Sequence, residues 1–291
     1  MPHLTVATKE KDLTVLEFLC RRIPAAPSAY LRQLLKKGKI RTAAKPLRAE
    51  DPVAAEDILL LPAAGRLLEM LAMGDLGSPV EILYESREIL VVDKSAGLAV
   101  HAAAGHEEDN LTRRVEEMAR RRGEKFRIAP IHRLDLETSG PVLFGKGKKA
   151  CGELGKLFMD QKVEKLYLAL VKGRIDGQGT LVGTVPAKGK EKQAQTAFRS
   201  LAASDAATLL ELRLLTGRRH QIRRQLADIG HPLFGDLRYG GPCIPGLSRL
   251  FLHCRRLAFI DPFSAAPLAI DSPLPRQLVD FAAALNLPAT G

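Results

Sequence analysis

Leu13, Leu16, Leu19 and Ile23 recur at three- and four-residue intervals, and Leu31, Leu34 and Leu35 take up the same rhythm after Ser28. That spacing puts each set on one face of a helix. It predicts two amphipathic helices, separated by Pro24 and Pro27, with Ser28 capping the second and Gly38 stopping it. Beyond residue 80 the pattern changes to short, strand-like apolar runs, at 80–84, 89–92, 142–144, 165–171, 194–198, 209–215 and 250–260. Helical spacing returns near 111–122, 148–161, 219–229 and 275–286. Strands outnumber helices and do not alternate with them, which predicts an α+β fold: a mixed, largely antiparallel sheet flanked by helices. The chain therefore divides into a small α/β module at 1–62, a linker at 63–79 with a short helix candidate at Leu67-Leu68-Met70-Leu71, and a larger domain at 80–291. No internal repeat or low-complexity tract interrupts this plan.

Charge narrows the choice of partner. Of 291 residues, 44 are Lys or Arg and 33 are Asp or Glu, a formal net charge of +11 that points to a polyanion. Nucleic acid leads, and an acidic membrane surface comes second. Between Ser28 and Arg48 stand Arg32, Lys36, Lys37, Lys39, Arg41, Lys45 and Arg48 with no acidic residue, so this face reads as an RNA contact and not merely a solvated helix surface. No stretch approaches the roughly 20 apolar residues of a membrane span, and the start lacks the basic-then-apolar pattern of a secretory signal. The expectation is a cytoplasmic monomer with no membrane partner. Cys20, Cys151, Cys243 and Cys254 are scattered, as are the seven histidines, so we expect reduced packing cysteines and no metal.

The densest chemistry lies in His132-Arg133-Leu134-Asp135-Leu136-Glu137-Thr138-Ser139-Gly140, between the apolar runs 128–131 and 141–144. A base, a guanidinium, two acids and a hydroxyl pair on a loop between buried strands is an arrangement suited to catalysis. Asp135 is the expected centre. Its carboxylate acts as nucleophile or base only while ionised, and an aspartate's ordinary pKa of about 3.9 survives burial only beside a fixed cation. On the helix near 219–229, Ile222, Leu226 and Ile229 form the buried stripe, which leaves Arg223 at its edge as the candidate ion-pair partner of Asp135. In the strand 165–171 the leucines share one face and Lys165, Tyr167 and Ala169 the other, so Tyr167 offers a flat ring for a nucleobase.

Three ordered segments resemble the signature blocks of the RluA-type family of pseudouridine synthases: His132 to Gly140, Lys165-Leu166-Tyr167, and Gly217-Arg218-Arg219-His220-Gln221-Ile222-Arg223 followed by Gly230-His231-Pro232-Leu233 and Gly235-Asp236-Leu237-Arg238-Tyr239-Gly240. Flanking stretches at 89–101 and 252–262 extend the similarity from about 80 to 265. The basic segment from Tyr30 through Gly38-Lys39-Ile40-Arg41 to Leu60 resembles the small RNA-binding module named after ribosomal protein S-four. There, Thr42-Ala43-Ala44 stands where a Val-Asn-Gly turn is usual.

The resemblance implies that Asp135 is the nucleophile, Arg223 its partner and Tyr167 the residue packed on the target uracil. It also implies that Arg133 fills the space of an extruded base, and that His132, Lys165, His220 and Gln221 lie on the RNA side. The implied reaction breaks the sugar–nitrogen bond of uridine, turns the uracil and rejoins it through carbon 5, with no cofactor. The expected partner is RNA, ribosomal in preference to transfer RNA. Two other readings are a noncatalytic RNA-binding ribosome assembly factor of the same fold, and a glycoside hydrolase pairing Asp135 with Glu137.

Overall fold

The computed structural model describes residues 3–6, 10, 11, 13–23, 26, 28–62, 67, 80–102, 106, 109–187 and 190–287. Pro24, Pro27 and the expected linker at 63–79, Leu67 apart, lie outside the described residues. The chain divides into two compact units, one of residues 1–79 with 107–109 and one of residues 80–106 with 110–291.

In the first unit, strands β1 (His3–Thr5) and β2 (Ile58–Leu60) pair antiparallel, and helices α1 (Val15–Arg22) and α2 (Ser28–Lys36) supply most of the core. Thr14 caps α1. Its hydroxyl accepts from the Glu17 amide at 3.2 Å, and the Glu17 carboxylate accepts from the Thr14 amide at 2.9 Å, which satisfies two otherwise orphaned donors. Phe18, Leu19, Leu31 and Ile40 are fully or almost fully enclosed. Gly38 ends α2 in the left-handed region, φ 63°. The turn at Thr42 is made by its own hydroxyl, which accepts from the amides of Ala44 and Lys45 at 3.2 and 3.1 Å. Arg32, Lys36, Lys37 and Lys39 are exposed and Arg41 is half-buried; Arg32 meets Glu50 at 3.4 Å.

The second unit is α+β, with antiparallel sheets flanked by helices. The expected sheet is in fact two. One runs in the order β3 (Glu81–Glu85), β4 (Ile89–Lys94), β6 (Gly140–Lys146), β5 (Ile128–Pro130). The other runs β12 (Pro267–Asp271), β11 (Leu252–Ile260), β7 (Glu164–Lys172), β10 (Ala207–Leu214), β9 (Lys190–Ala203), β8 (Gln178–Ala187). Helices α3 (Leu111–Arg121), α4 (Lys148–Met159), α5 (Gln221–Asp228) and α6 (Arg276–Ala284) complete the unit. In β7, Leu168 and Leu170 face a core shared with Phe234, Phe251, Leu278 and Phe281. Among the described residues no helix is long and apolar enough to cross a membrane.

A parallel bridge between Ser139 and His253 ties the two sheets together, and the Cys254 amide donates to the Ser139 carbonyl at 2.8 Å. Gly140 makes this approach possible. Its φ is +124°, and a Cβ there would overlap the Cys254 carbonyl oxygen. The loop 131–139 is thereby pinned where β11 passes, with β7 alongside.

Candidate active site

The loop 131–139 is held from three sides. At its start, His132 stacks on Phe158 with ring centroids 4.7 Å apart, and its Nε2 accepts from the Leu143 amide at 3.1 Å. Burial holds its pKa down, to about 3, so the ring is neutral. In the middle, the fully enclosed Lys94 donates to the carbonyls of Ser95, Leu98 and Leu136 at 2.9, 2.8 and 3.0 Å. Burial and Arg249 push the Lys94 pKa down to about 7, against the pull of Asp135 and Asp93. At its end, Arg249 Nη2 donates to the Glu137 carbonyl at 3.1 Å and to Ser139 Oγ at 2.8 Å. Ser139 Oγ lies 2.9 Å from His253 Nδ1, and His253 Nε2 lies 3.0 Å from the Ser272 carbonyl. A carbonyl only accepts, so the His253 proton sits on Nε2 and the serine hydroxyl donates to Nδ1.

A cavity of about 350 Å³ opens against this loop, lined by Arg133, Asp135, Lys165, Tyr167, His220 and Arg223 among others. Asp135 keeps 20% of its side chain exposed, and its Oδ1 lies 3.8 Å from His220 Nε2. It raises the pKa of Lys94, Tyr167, His220 and Arg223, which puts all four within its electrostatic range. Tyr167 is 6% exposed; burial, then Cys254, raises its pKa well above 10, so the phenol keeps its proton at neutral pH. The Lys165 ammonium lies 5.8 Å from the Phe158 ring centre, and burial lowers its pKa. Arg133 is exposed at the cavity wall. Glu137 is exposed, and the turn at 136–137 separates it from Asp135.

Four expectations change. Arg223 pairs with Asp236, not with Asp135: Nε and Nη2 donate to the two carboxylate oxygens at 2.7 and 2.6 Å. Asp236 is fully enclosed, and a carboxylate in that position requires a charged partner. Gln221 has no amide group left for RNA. Its Oε1 accepts from Thr216 Oγ1 and the Arg218 amide at 2.8 and 3.0 Å, and its Nε2 donates to the Gln195 carbonyl and Thr196 Oγ1, each at 2.9 Å. One turn on, Gln225 grips Leu181, Ala194 and Thr196 in the same way, so these two amides fasten α5 to β8 and β9. His132 is an anchor of the loop and not a free base. Among the cysteines, Cys243 is exposed and not a packing residue.

The family profile described as RNA pseudouridylate synthase matches residues 88–228, which takes in Asp135, Tyr167 and Arg223. The chain is 29% identical over 289 residues to the ribosomal large subunit pseudouridine synthase C of Vibrio vulnificus, covering 90% of this chain and 89% of that one. It is 34% identical over 229 residues to the ribosomal large subunit pseudouridine synthase D of Nitrosomonas europaea, covering 72% of this chain and 67% of the relative. The chain belongs to the RNA pseudouridylate synthase family. The solved structure of Human RNA Pseudouridylate Synthase Domain Containing 1 agrees, at 27% identity and a TM-score of 0.55 over 69% of this chain and 86% of that one. This synthase is thus an isomerase.

Four residues of the synthase site escaped the sequence patterns. Asp236 and Tyr239 stand in the segment Gly235 to Gly240, whose spacing carries no ion-pair signal, because Asp236 lies 13 residues from Arg223 and outside its helix. Lys94 looks like an ordinary strand-end lysine until its three carbonyl partners are seen. Arg249 lies in an irregular loop, and nothing local to its sequence indicates that it reaches back to Glu137 and Ser139.

Proposed function

We propose that this synthase converts uridine to pseudouridine in large-subunit ribosomal RNA, with Asp135 as the nucleophile acting on a flipped-out nucleotide. The observation that carries this reading is the meeting of Asp135, Tyr167, Arg223 and Arg133 around one cavity from three separate parts of the chain. The chemistry fits those groups. The bond between uracil N1 and the sugar breaks, a new bond joins the sugar to C5, the C5 proton leaves and N1 gains one. Redox state and composition are unchanged, so the isomerisation needs no electron or group donor.

Each side chain has a part to play. Tyr167, protonated and almost enclosed, supplies a ring face for the uracil. Arg133, exposed at the cavity wall, can take the place that the base vacates. Extruding the base costs a few kcal/mol, which stacking and phosphate contacts can offset. The exposed cations Arg32, Lys36, Lys37 and Lys39, with Arg41, make the first unit the recruiting surface, in keeping with its resemblance to a small RNA-binding module. The names of the relatives favour large-subunit ribosomal RNA over transfer RNA, and the enzyme is read as cytoplasmic and monomeric.

Mapping pseudouridines in cells with and without the gene tests the target. Loss of one or a few sites confined to large-subunit ribosomal RNA is expected. Loss confined to transfer RNA would overturn the choice of RNA, and an unchanged map with an inactive purified enzyme would overturn the reading altogether.

A further inference from the structure

The Tyr239 hydroxyl has no place in the chemistry above, yet it joins two side chains of the site. Its oxygen lies 3.0 Å from Arg224 Nε and 3.0 Å from His220 Nδ1. Arg224 Nε can only donate, so the phenol oxygen accepts from it, and the phenol's single hydrogen is free to point at His220 Nδ1. Across the imidazole, Nε2 lies 3.8 Å from Asp135 Oδ1. A lone pair on Nε2 would face a carboxylate oxygen and be repelled; an N–H there is attracted. With the proton on Nε2, Nδ1 is an acceptor for the phenol hydrogen, so the two ends of the ring agree on one tautomer.

The backbone is shaped to hold the ring in this position. His220 adopts the left-handed region, φ 53° and ψ 27°, just before α5, a conformation that a non-glycine residue adopts only under constraint. Tyr239 is fixed independently of its hydroxyl. Asp236 accepts from its amide at 3.3 Å, and its ring lies under the Arg223 guanidinium at 5.1 Å. Besides Tyr239, the charged and titratable groups acting on His220 are Asp135, Arg223, Arg219 and Arg238. Burial is the largest influence on the ring and lowers its pKa, so it is neutral near pH 7 and the choice of tautomer matters.

We propose that Tyr239 is a positioning residue: its hydroxyl, anchored by Arg224, donates to His220 Nδ1 and keeps the imidazole proton on Nε2, aimed at the Asp135 carboxylate. The N–H orients the carboxylate before RNA arrives. This rests on Asp135 being the nucleophile, but the tautomer itself can be read without RNA.

The test uses the full-length protein labelled with 15N-histidine. In the wild type, His220 is expected to show an unprotonated Nδ1 and a protonated Nε2. Tyr239→Phe and Arg224→Gln are each expected to give a mixture of tautomers, with the thermal midpoint and RNA affinity nearly unchanged. Their single-turnover rates of pseudouridine formation should fall about tenfold, the scale of one missing hydrogen bond. A protonated Nδ1 in the wild type, an unaltered tautomer in Tyr239→Phe, or an unaltered rate would each overturn the proposal. An active Asp135→Asn enzyme combined with the expected tautomers would instead overturn the assignment of Asp135 and leave the geometry of His220 intact.

Discussion

Asp236 accepts both hydrogen bonds of the Arg223 fork, at 2.7 and 2.6 Å, and is sealed from solvent. Removing one member of a buried pair strands the other charge. Asp236→Ala is therefore expected to lose about 3–5 kcal/mol of stability in urea unfolding. Replacing both members, with Arg223→Met and Asp236→Leu, is expected to recover most of that stability and none of the activity. Recovered activity would mean that the pair serves only the fold.

Gly140 sits where the two sheets meet, at φ +124° and with the Cys254 carbonyl oxygen in the space a Cβ would need. Gly140→Ala combines backbone strain with a clash against main chain, and a loss of about 3 kcal/mol or more is expected in the same unfolding measurement. Gly97→Ala is the control for strain alone. Its φ is also positive, +81°, but nothing lies within 4 Å of the added carbon, so the smaller loss belongs there.

His253 is buried and neutral, with its pKa held down to about 4 by enclosure. An unfolded histidine titrates near 6.5. The folded value lies below the unfolded one, so this contribution to stability is complete above pH 6.5 and is withdrawn as pH falls toward 4. Asp93, which burial raises to about 6, acts in the opposite direction over the same range. Comparing wild type with His253→Gln cancels the Asp93 contribution. The stability difference between them is expected to shrink by about 2 kcal/mol from pH 7 to pH 5. A difference independent of pH would mean that His253 titrates in the folded protein as it does in the unfolded chain.

The helices of the larger unit were legible in the sequence because amphipathic spacing repeats over several turns. The expected 111–122 and 148–161 became Leu111–Arg121 and Lys148–Met159. Strands β8 and β12 were not legible. Gln178–Ala187 contains two glycines and a proline, and Pro267–Asp271 opens on a proline; both are edge strands, where proline is tolerated and packing outweighs propensity. At β8, Gly179 leaves room for the Phe198 ring, a reason for glycine that exists only after folding. The site was half legible. Loop position and strand alternation were enough to bring Asp135 and Tyr167 to the cavity, but not to find the partner of Arg223, because ion pairing depends on where the Gly235–Gly240 turn passes. Gln221 and His132 illustrate the opposite error. Polar residues in a dense motif suggested contact with substrate, whereas backbone and side-chain partners within the chain already occupy the Gln221 amide and His132 Nε2.

Charge on the first unit predicts a salt effect. Replacing Arg32, Lys36, Lys37, Lys39 and Arg41 with glutamine is expected to weaken RNA binding, and to reduce the slope of log affinity against log salt by about 1 for each phosphate that the protein no longer neutralises. Filter binding across a salt series measures both. An unchanged affinity and slope would remove the recruiting role from this unit.

The central claim concerns the Asp135 carboxylate, and a near-isosteric change tests it most directly. Asp135→Asn and the wild type are incubated in single turnover with RNA carrying tritium at uridine C5, and release of tritium is followed alongside RNA binding. The account predicts wild-type release, unchanged binding by the variant and no detectable release from it. Release by Asp135→Asn at a rate near that of the wild type would contradict it.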